Sequence, residues 1–377
     1  MILWISFSIL ISYCLFLMVI IYGWFRIRDF TYSGSDLIKV SVIIPVRNEQ
    51  SNIIRILDSL AVQTYPAHCY EIIIMDDNST DNTVQFVEEY KNAEKVNISI
   101  FQMANYGSES GSPKKAAITK GVDLAFGEII LITDADVYIP ETWIHSYSGA
   151  FLKSGAKFIS GPVIIRARDS FYEEMQSVEF AVLVTTGASS LYLGYPNMCN
   201  GANLGFRKDA FKKVGGYEGN DRIISGDDEF LLFKMHKFFP DGILFLKSKN
   251  VLIQTKPVSN IKDFYHQRRR WSGKWSVHSN KNNKMLAIYV FIVNINFLLI
   301  PVFWLLGFVG VYLVFAAFLI KMCLEYFLIR SFYQEYSKQM KMIPFVVTSL
   351  LYSIYAITFG ILANFGSYNW KGRNYKT

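Results

Sequence analysis

The stretch Ile130-Leu131-Ile132-Thr133-Asp134-Ala135-Asp136 decides the reading of this chain. Its apolar half has the composition of a buried strand, and its end carries two carboxylates one residue apart. In an open α/β sheet, the carboxyl ends of the strands are where ligands are met. Two acids at D-x-D spacing across a turn suit a hard divalent cation and the hydroxyls of a bound nucleotide, because such cations take oxygen ligands. A lone D-x-D is more simply a solvated turn, since Asp is common in turns. The sequence on either side makes the functional reading the better one.

Upstream, Val40–Ile44 reads as a buried strand closed by Pro45-Val46-Arg47-Asn48-Glu49, and Ile53, Ile56, Leu57 and Leu60 recur at the period of an amphipathic helix. Glu71–Met75 is a second strand. It ends at Asp76-Asp77-Asn78-Ser79-Thr80-Asp81, a stretch with helix N-cap character before a helix over 82–91. A third strand is expected over 97–103, and Gly111-Ser-Pro-Lys114-Lys115 is a turn feeding a helix. Strands alternating with helices, with acids repeatedly at strand ends, describe an α/β nucleotide-binding sheet. No G-x-G-x-x-G or P-loop sequence is present. Downstream come a strand over 156–165 broken at Gly161-Pro162, a helix over 170–186, and a long Gly- and Asn-rich loop over 187–205. Asp227-Asp228-Glu229 opens a further helix, and His266-Gln267-Arg268-Arg269-Arg270-Trp271 closes this part of the chain.

The two ends differ in character. Residues 2–25 carry no charge, long enough for a membrane-crossing helix, and Arg26 and Arg28 follow directly. No positive charge precedes the run, which argues against a secretory signal peptide. The positive-inside rule then puts the segment after Arg26 in the cytoplasm. Residues 285–320 are again uncharged, suiting two helices turned near 301–310, and 343–366 is another span. With three such spans the basic tail around Lys371 and Arg373 would lie outside, against the same rule, unless one span is re-entrant. The expected organisation is an anchor over 1–28, a linker over 29–39, a cytoplasmic domain over 40–275, and a membrane region of two to four helical segments over 276–377.

Composition agrees. Of 377 residues, 51% are hydrophobic and only 18% charged, a balance that fits several buried or membrane segments. The net charge of +7 is scattered or lies beside the apolar segments. That placement suits anionic headgroups and a phosphorylated substrate, and no basic stripe interleaved with aromatics supports nucleic-acid binding. Four Cys without a C-x-x-C signal neither a zinc knuckle nor a disulfide framework.

Taken in order, Pro45–Glu49, Asp76-Asp77-Asn-Ser, Asp134-Ala-Asp136, Gly201-Ala-Asn203, Asp227-Asp-Glu229 and Gln267-x-x-Arg270-Trp271 resemble the membrane-anchored inverting glycosyltransferases of family 2. The resemblance covers about residues 40–275. It implies the nucleotide-sugar-binding GT-A fold, an α/β domain with a mixed, mostly parallel sheet, here flanked by transmembrane helices. It implies that Pro45, Arg47, Glu49 and one of Asp76 and Asp77, the latter favoured, hold the nucleoside. It further implies that Asp134 and Asp136 hold ribose and a Mg²⁺ or Mn²⁺ on the diphosphate, Asp136 as direct ligand. Lys114 or Lys115 would add charge at the phosphates, and Asn203 would contact the donor.

The family pattern at the third acidic site is an acid pair followed by x-Asp/Glu. Here Gly226 stands where the first acid usually is, so register leaves Asp227 and Asp228 both open as the general base, beside Glu229. Gln267, Arg270 and Trp271 share a helix face, Arg270 for the diphosphate and Trp271 for the acceptor pocket. Arg268 and Arg269 are expected to face lipid headgroups. The implied reaction moves a sugar from a nucleotide-sugar, a UDP-sugar in the first instance, to a lipid or lipid-linked acceptor at the cytoplasmic membrane face. A processive polysaccharide synthase and a catalytically silent nucleotide-sugar-binding scaffold are the alternatives.

Overall fold

A computed structural model describes residues 2–32, 34–93, 96–106, 111–168, 170–221, 223–273, 281–363, 365 and 367–376. In chain order the elements begin with α1 (Ile2–Arg26), β1 (Val40–Val46), α2 (Ile53–Ala61), β2 (Tyr70–Asp76), α3 (Thr83–Ala93) and β3 (Ile98–Gln102). Then come α4 (Pro113–Leu124), β4 (Ile129–Ile132), β5 (Val137–Tyr138), α5 (Trp143–Ser154), β6 (Phe158–Ser160), β7 (Val163–Ile165) and α6 (Phe171–Tyr192). The rest are β8 (Leu204–Arg207), α7 (Lys208–Lys213), α8 (Asp227–Phe238), β9 (Ile243–Phe245), β10 (Ile253–Thr255), α9 (Ile261–Ser272), α10 (Lys281–Leu305), α11 (Val311–Glu335), α12 (Met342–Leu362), β11 (Ser367–Trp370) and β12 (Arg373–Lys376).

These elements fall into two compact units. Residues 26–166 and 190–256 form one; residues 1–25, 167–189 and 257–377 form the other. The expected boundaries at 40 and 275 differ from this division. Residues 167–189 and 257–273 group with the long apolar helices.

In the sheet-bearing unit, seven strands run in the order β3-β2-β1-β4-β8-β6-β9. The first four are mutually parallel, and β8 runs antiparallel to both β4 and β6. A second sheet has the order β5-β10-β7. Strand β2 is buried along its whole length and β1 nearly so, as parallel strands covered on both faces must be. Helix α2 buries Ile53, Ile56, Leu57 and Leu60, the face its period predicts.

From β1 the chain builds outward to β2 and β3, then returns to place β4 on the other side of β1. Ligands in such sheets bind at this reversal, beyond the carboxyl ends. Here those ends are Val46 and Ile132, followed by Arg47 and by Thr133-Asp134.

At the opposite end of these strands, Ser41 Oγ donates to Glu71 Oε1 (2.5 Å) and accepts from Gly127 N (2.8 Å), while Phe126 N donates to the same carboxylate oxygen (2.7 Å). The clasp leaves no room beside Gly127, where a Cβ would stand 2.4 Å from Ser41 N.

In the other unit, α1, α10, α11 and α12 are each long and apolar enough to cross a membrane. The turn expected between 301 and 310 falls at residues 306–310, with Gly307 at φ 74°. Leu10, Val293, Phe297, Ile300 and Ala317 form a buried cluster that joins α1, α10 and α11. Lys321 is buried inside α11. It donates to Glu325 Oε2 and to the Ser349 carbonyl, both at 2.9 Å, and Tyr13 donates to Glu325 Oε1 at 2.7 Å. The tail is a β11–β12 hairpin turned at Lys371 and Gly372, both with positive φ.

Replacing Gly127 by Ala is expected to lower stability by about 1–3 kcal/mol, because its neighbour is backbone rather than a movable side chain. A drop in the apparent melting temperature of purified protein in detergent checks this, and an unchanged midpoint would show that the turn can shift.

Candidate active site

The loops after β1 and β2 are bound to each other. Arg47 Nη1 donates to the carbonyls of Asp77 (2.6 Å) and Asn78 (3.2 Å) and lies 3.9 Å from the Asp77 carboxylate. Asn48 Oδ1 accepts from Thr80 N (2.8 Å), and Asn48 N donates to Ser79 Oγ (2.9 Å). Both loops turn on an Asn with positive φ, Asn48 at 54° and Asn78 at 55°, a conformation Asn tolerates better than most side chains. Pro45 sits within β1, half-buried, and Glu49 is buried, accepting from Asn52 Nδ2 (2.7 Å).

Of the acid pair, Asp76 is 2% exposed and accepts from Ser79 N. Burial pushes its carboxyl above the usual carboxylate range. Its structural role is therefore to close the turn, and Asp77 is the more accessible acid.

The centre of the site is one ammonium group. Lys114, on the first turn of α4, reaches Asp134 Oδ1 at 2.9 Å and Asp227 Oδ2 at 3.3 Å. Burial penalises the charged lysine, but Asp134 and Asp227, with Asp228 behind them, outweigh it and hold the ammonium protonated above the ordinary lysine range. Because the folded-state value is raised, this stabilisation is present throughout neutral pH and is lost only as pH rises through that higher value.

Asp227 and Asp228 begin α8, after Gly226 in a left-handed conformation at φ 83°. Asp228 accepts from Gly201 N (3.1 Å) and Glu229 N (2.9 Å), so both its oxygens are engaged. Among the described residues, Asp227 Oδ1 has no such partner. Glu229 stays half-buried on the same turn. Tyr217 is buried, and burial, followed by Asp227 and Asp228, pushes its hydroxyl well above the usual range. Gly201 lies in the Gly201-Ala-Asn203 motif, whereas nothing in the sequence pattern pointed to Tyr217.

Two expected donor contacts are corrected. Asn203 is fully buried: its amide donates to the carbonyls of Pro162 (2.7 Å) and Val251 (2.8 Å), and its Oδ1 accepts from Trp143 Nε1 and the Tyr147 hydroxyl (both 2.9 Å). It holds the core and has no group left for a ligand. Lys115 is 1% exposed and donates to the carbonyls of Asn220 (2.8 Å) and Ile223 (2.7 Å), with its ammonium over the Phe230 ring. It fixes the segment leading into α8, while Lys114 reaches Asp134 and Asp227. The loop expected over 187–205 is also shorter, because α6 continues to Tyr192.

Asp134 and Asp136 lie in the turn between β4 and β5, both partly exposed. They offer carboxylate oxygens only, a donor set for a hard cation. Among the described residues no group of three or more His, Cys, Asp and Glu could enclose a metal. Such a pair suits a hard divalent cation such as Mg²⁺ or Mn²⁺.

Gln267, Arg270 and Trp271 lie on α9 in the other unit, all partly exposed. The expectation for the two residues between them is corrected. Arg268 and Arg269 are buried, at 2% and 7% exposure, because Glu179 and Tyr265 supply their guanidinium groups with partners.

Residues 41–215 match the sequence model of glycosyl transferase family 2, and residues 129–363 match that of glycosyl transferase family group 2. The chain belongs to the family 2 glycosyltransferases. It is 28% identical over 237 residues to the beta-monoglucosyldiacylglycerol synthase of Nostoc sp., which covers 62% of this chain and 48% of that protein. It is 38% identical over 103 residues to the poly(ribitol-phosphate) beta-N-acetylglucosaminyltransferase TarS of Staphylococcus aureus, 27% of this chain and 17% of that one. The chain thus spans less than half the length of either relative. Its fold is that of the mannosyltransferase PcManGT of Pyrobaculum calidifontis, solved in complex with GDP-Man and Mn²⁺, at a TM-score of 0.60 and 16% identity over 94% of this chain and 95% of that chain.

Removing the Asn203 side chain is expected to act on folding. Asn203→Ala strips the Val251 carbonyl and the Trp143 indole N–H of the amide they pair with, while the Pro162 carbonyl keeps Ile253 N and the Tyr147 hydroxyl keeps the Asn203 backbone carbonyl. Two unmatched buried groups cost about 2 kcal/mol. Thermal unfolding should fall while nucleotide affinity per folded molecule stays unchanged; lost affinity in a variant of normal stability would return Asn203 to the binding site.

Proposed function

We propose that the chain transfers one sugar, with inversion, from a nucleoside diphosphate sugar to a lipid or lipid-linked acceptor. The observation that carries this reading is the Lys114 bridge, which puts the D-x-D turn and the Asp227 carboxylate within reach of one ammonium group. Phosphate charge and a proton acceptor are needed side by side in such a displacement. The name of the Nostoc relative, a diacylglycerol glucosyl synthase, supports a lipid acceptor, as do four helices of membrane-spanning character. Arg26 and Arg28 after α1 support a cytoplasmic catalytic unit.

In the proposed reaction the acceptor hydroxyl loses its proton to Asp227 as its oxygen attacks the anomeric carbon. The bond from that carbon to the diphosphate oxygen breaks on the opposite face, and the nucleoside diphosphate leaves with the electron pair. Asp227 is favoured over Asp228 because both oxygens of Asp228 already accept backbone N–H groups. Lys114 stabilises the negative charge that grows on the leaving diphosphate. A Mg²⁺ or Mn²⁺ held by Asp134 and Asp136 would supply further positive charge there. Arg47 and Asp77 hold the nucleoside end, and Gln267, Arg270 and Trp271 serve the acceptor and diphosphate.

A donor screen on detergent-solubilised protein with Mn²⁺ or Mg²⁺ and membrane lipid extract tests this. Release of nucleoside diphosphate with a one-sugar mass increment on a lipid, abolished by EDTA and restored by metal, is the expected result. A ladder of increments would favour a processive synthase. Nucleotide binding without release from any donor would favour a silent scaffold.

In the same assay Asp227→Asn should lower kcat by roughly 10²–10⁴ with donor affinity within a few-fold. Full activity in that variant and loss in Asp228→Asn would move the base by one residue.

A further inference from the structure

The motif face of α9 is held by a charge buried beneath it. Arg268, whose side chain is 1% exposed, lies between Gln267 and Arg270 in sequence, at a position the Q-x-x-R-W pattern leaves unspecified. Its guanidinium donates to Gln267 Oε1 at 3.1 Å, and its centre stands 4.3 Å from the Trp271 ring and 4.6 Å from the Phe264 ring. One side chain thus touches two of the three motif residues. A buried guanidinium is tolerable only with a counter-charge in good geometry, and Glu179 of α6 provides it, with Oε2 2.6 Å from Arg268 Nη2. The other oxygen of Glu179 accepts from the Tyr355 hydroxyl at 2.5 Å, and Tyr355 belongs to α12, a helix of membrane-spanning character. Phe264 also meets Tyr355 and Phe359 of α12 through ring contacts at 6.2 and 6.3 Å.

We infer that Glu179 and Arg268 are positioning residues that set Gln267 and Trp271 for the transfer reaction, and that Tyr355 ties this setting to the membrane helix α12. The inference rests on the transfer reading given above. Arginine suits this position as lysine does not. Its planar group stacks on an indole while its edge N–H groups reach a carboxylate and an amide oxygen in different directions. The pair is buried and bound on both sides, so it acts through its neighbours rather than on substrate.

The test uses the full-length protein in detergent with the double variant Glu179→Met/Arg268→Met, which removes both charges and keeps the apolar volume. Glu179→Gln, Arg268→Lys and Tyr355→Phe accompany it. The readouts are kcat, donor KM and the ¹⁹F resonance of Trp271 in protein labelled with fluorotryptophan, assigned by its loss in Trp271→Phe.

The double variant is expected to lose tenfold or more in kcat with donor KM within twofold, and to shift the Trp271 resonance. Glu179→Gln, which keeps an acceptor oxygen for Arg268, should retain more activity, and Tyr355→Phe should lose a few-fold. If the double variant fails to fold, Arg268→Lys and Glu179→Gln carry the same readouts. A folded variant with kcat within twofold of the parent and an unmoved Trp271 resonance would overturn the inference and leave the pair a structural contact. If the parent protein itself transfers no sugar from any donor, the transfer reading fails, and the Trp271 resonance alone decides the positioning.

Discussion

Carboxylates do not gather without a cation, and this constraint orders the sheet-bearing unit. Asp134 comes from the end of β4, and Asp227 and Asp228 from the start of α8, more than ninety residues later in sequence. At an effective dielectric near 20, like charges about 4 Å apart repel by roughly 4 kcal/mol. Lys114 resolves this by standing between Asp134 and Asp227, and the α8 N-terminus, where backbone N–H groups point outward, favours the remaining negative charge. The three elements can therefore meet at the sheet's topological reversal only in the register that keeps α4 against them. Lys115, one residue on, secures that register by holding the carbonyls of the segment before α8. Two adjacent lysines on one helical turn thus do different work, one on charge and one on backbone.

Much of the sheet was legible because its strands are buried on both faces. A parallel strand under helices on either side needs an apolar run, and Val42–Ile44, Ile72–Met75 and Ile130–Ile132 show it. The acids that follow them were legible for the same reason: they interrupt such runs where the backbone leaves the core. What was not legible was which polar residues turn inward. Asn203 stands in a Gly-rich stretch that reads as a surface loop, yet its amide is matched by four partners drawn from α5, the β6–β7 turn and the segment before β10. No local pattern encodes four partners so far apart in sequence. Lys114 and Lys115 are likewise equivalent in sequence and are separated only by the helix rotation between them.

The unit with the long helices shows the same limit in another form. Helices α6 and α9 were expected as helices, but their grouping with α12 depends on Glu179, Arg268 and Tyr355. Arg268 and Arg269 read as headgroup-facing because adjacent cations on a helix usually stay solvated. Arg269 meets the Tyr265 phenol four residues back on the same helix, but Arg268 is matched by Glu179, 89 residues upstream, and no local spacing announces that acid.

Polar pairing also answers how α1 is recovered by helices nearly three hundred residues away. Apolar helix surfaces in lipid gain little from meeting one another, since acyl chains are as apolar as Leu. A specific partner must be chosen by close packing and hydrogen bonds. Asn296 donates to the Ser6 carbonyl (3.1 Å), and Tyr13 donates to Glu325, whose charge is matched by Lys321. Ser349 of α12 accepts from the same lysine, so three helices converge on one ion pair. An ionised pair within spans of this character is costly unless every group is matched, and here the matching partners come from different helices. The cost of leaving any of them out is what makes the grouping of α1, α11 and α12 specific. The rule that sets Lys114 between two acids in the sheet-bearing unit therefore operates here too, with the charge of a lysine selecting which elements come together.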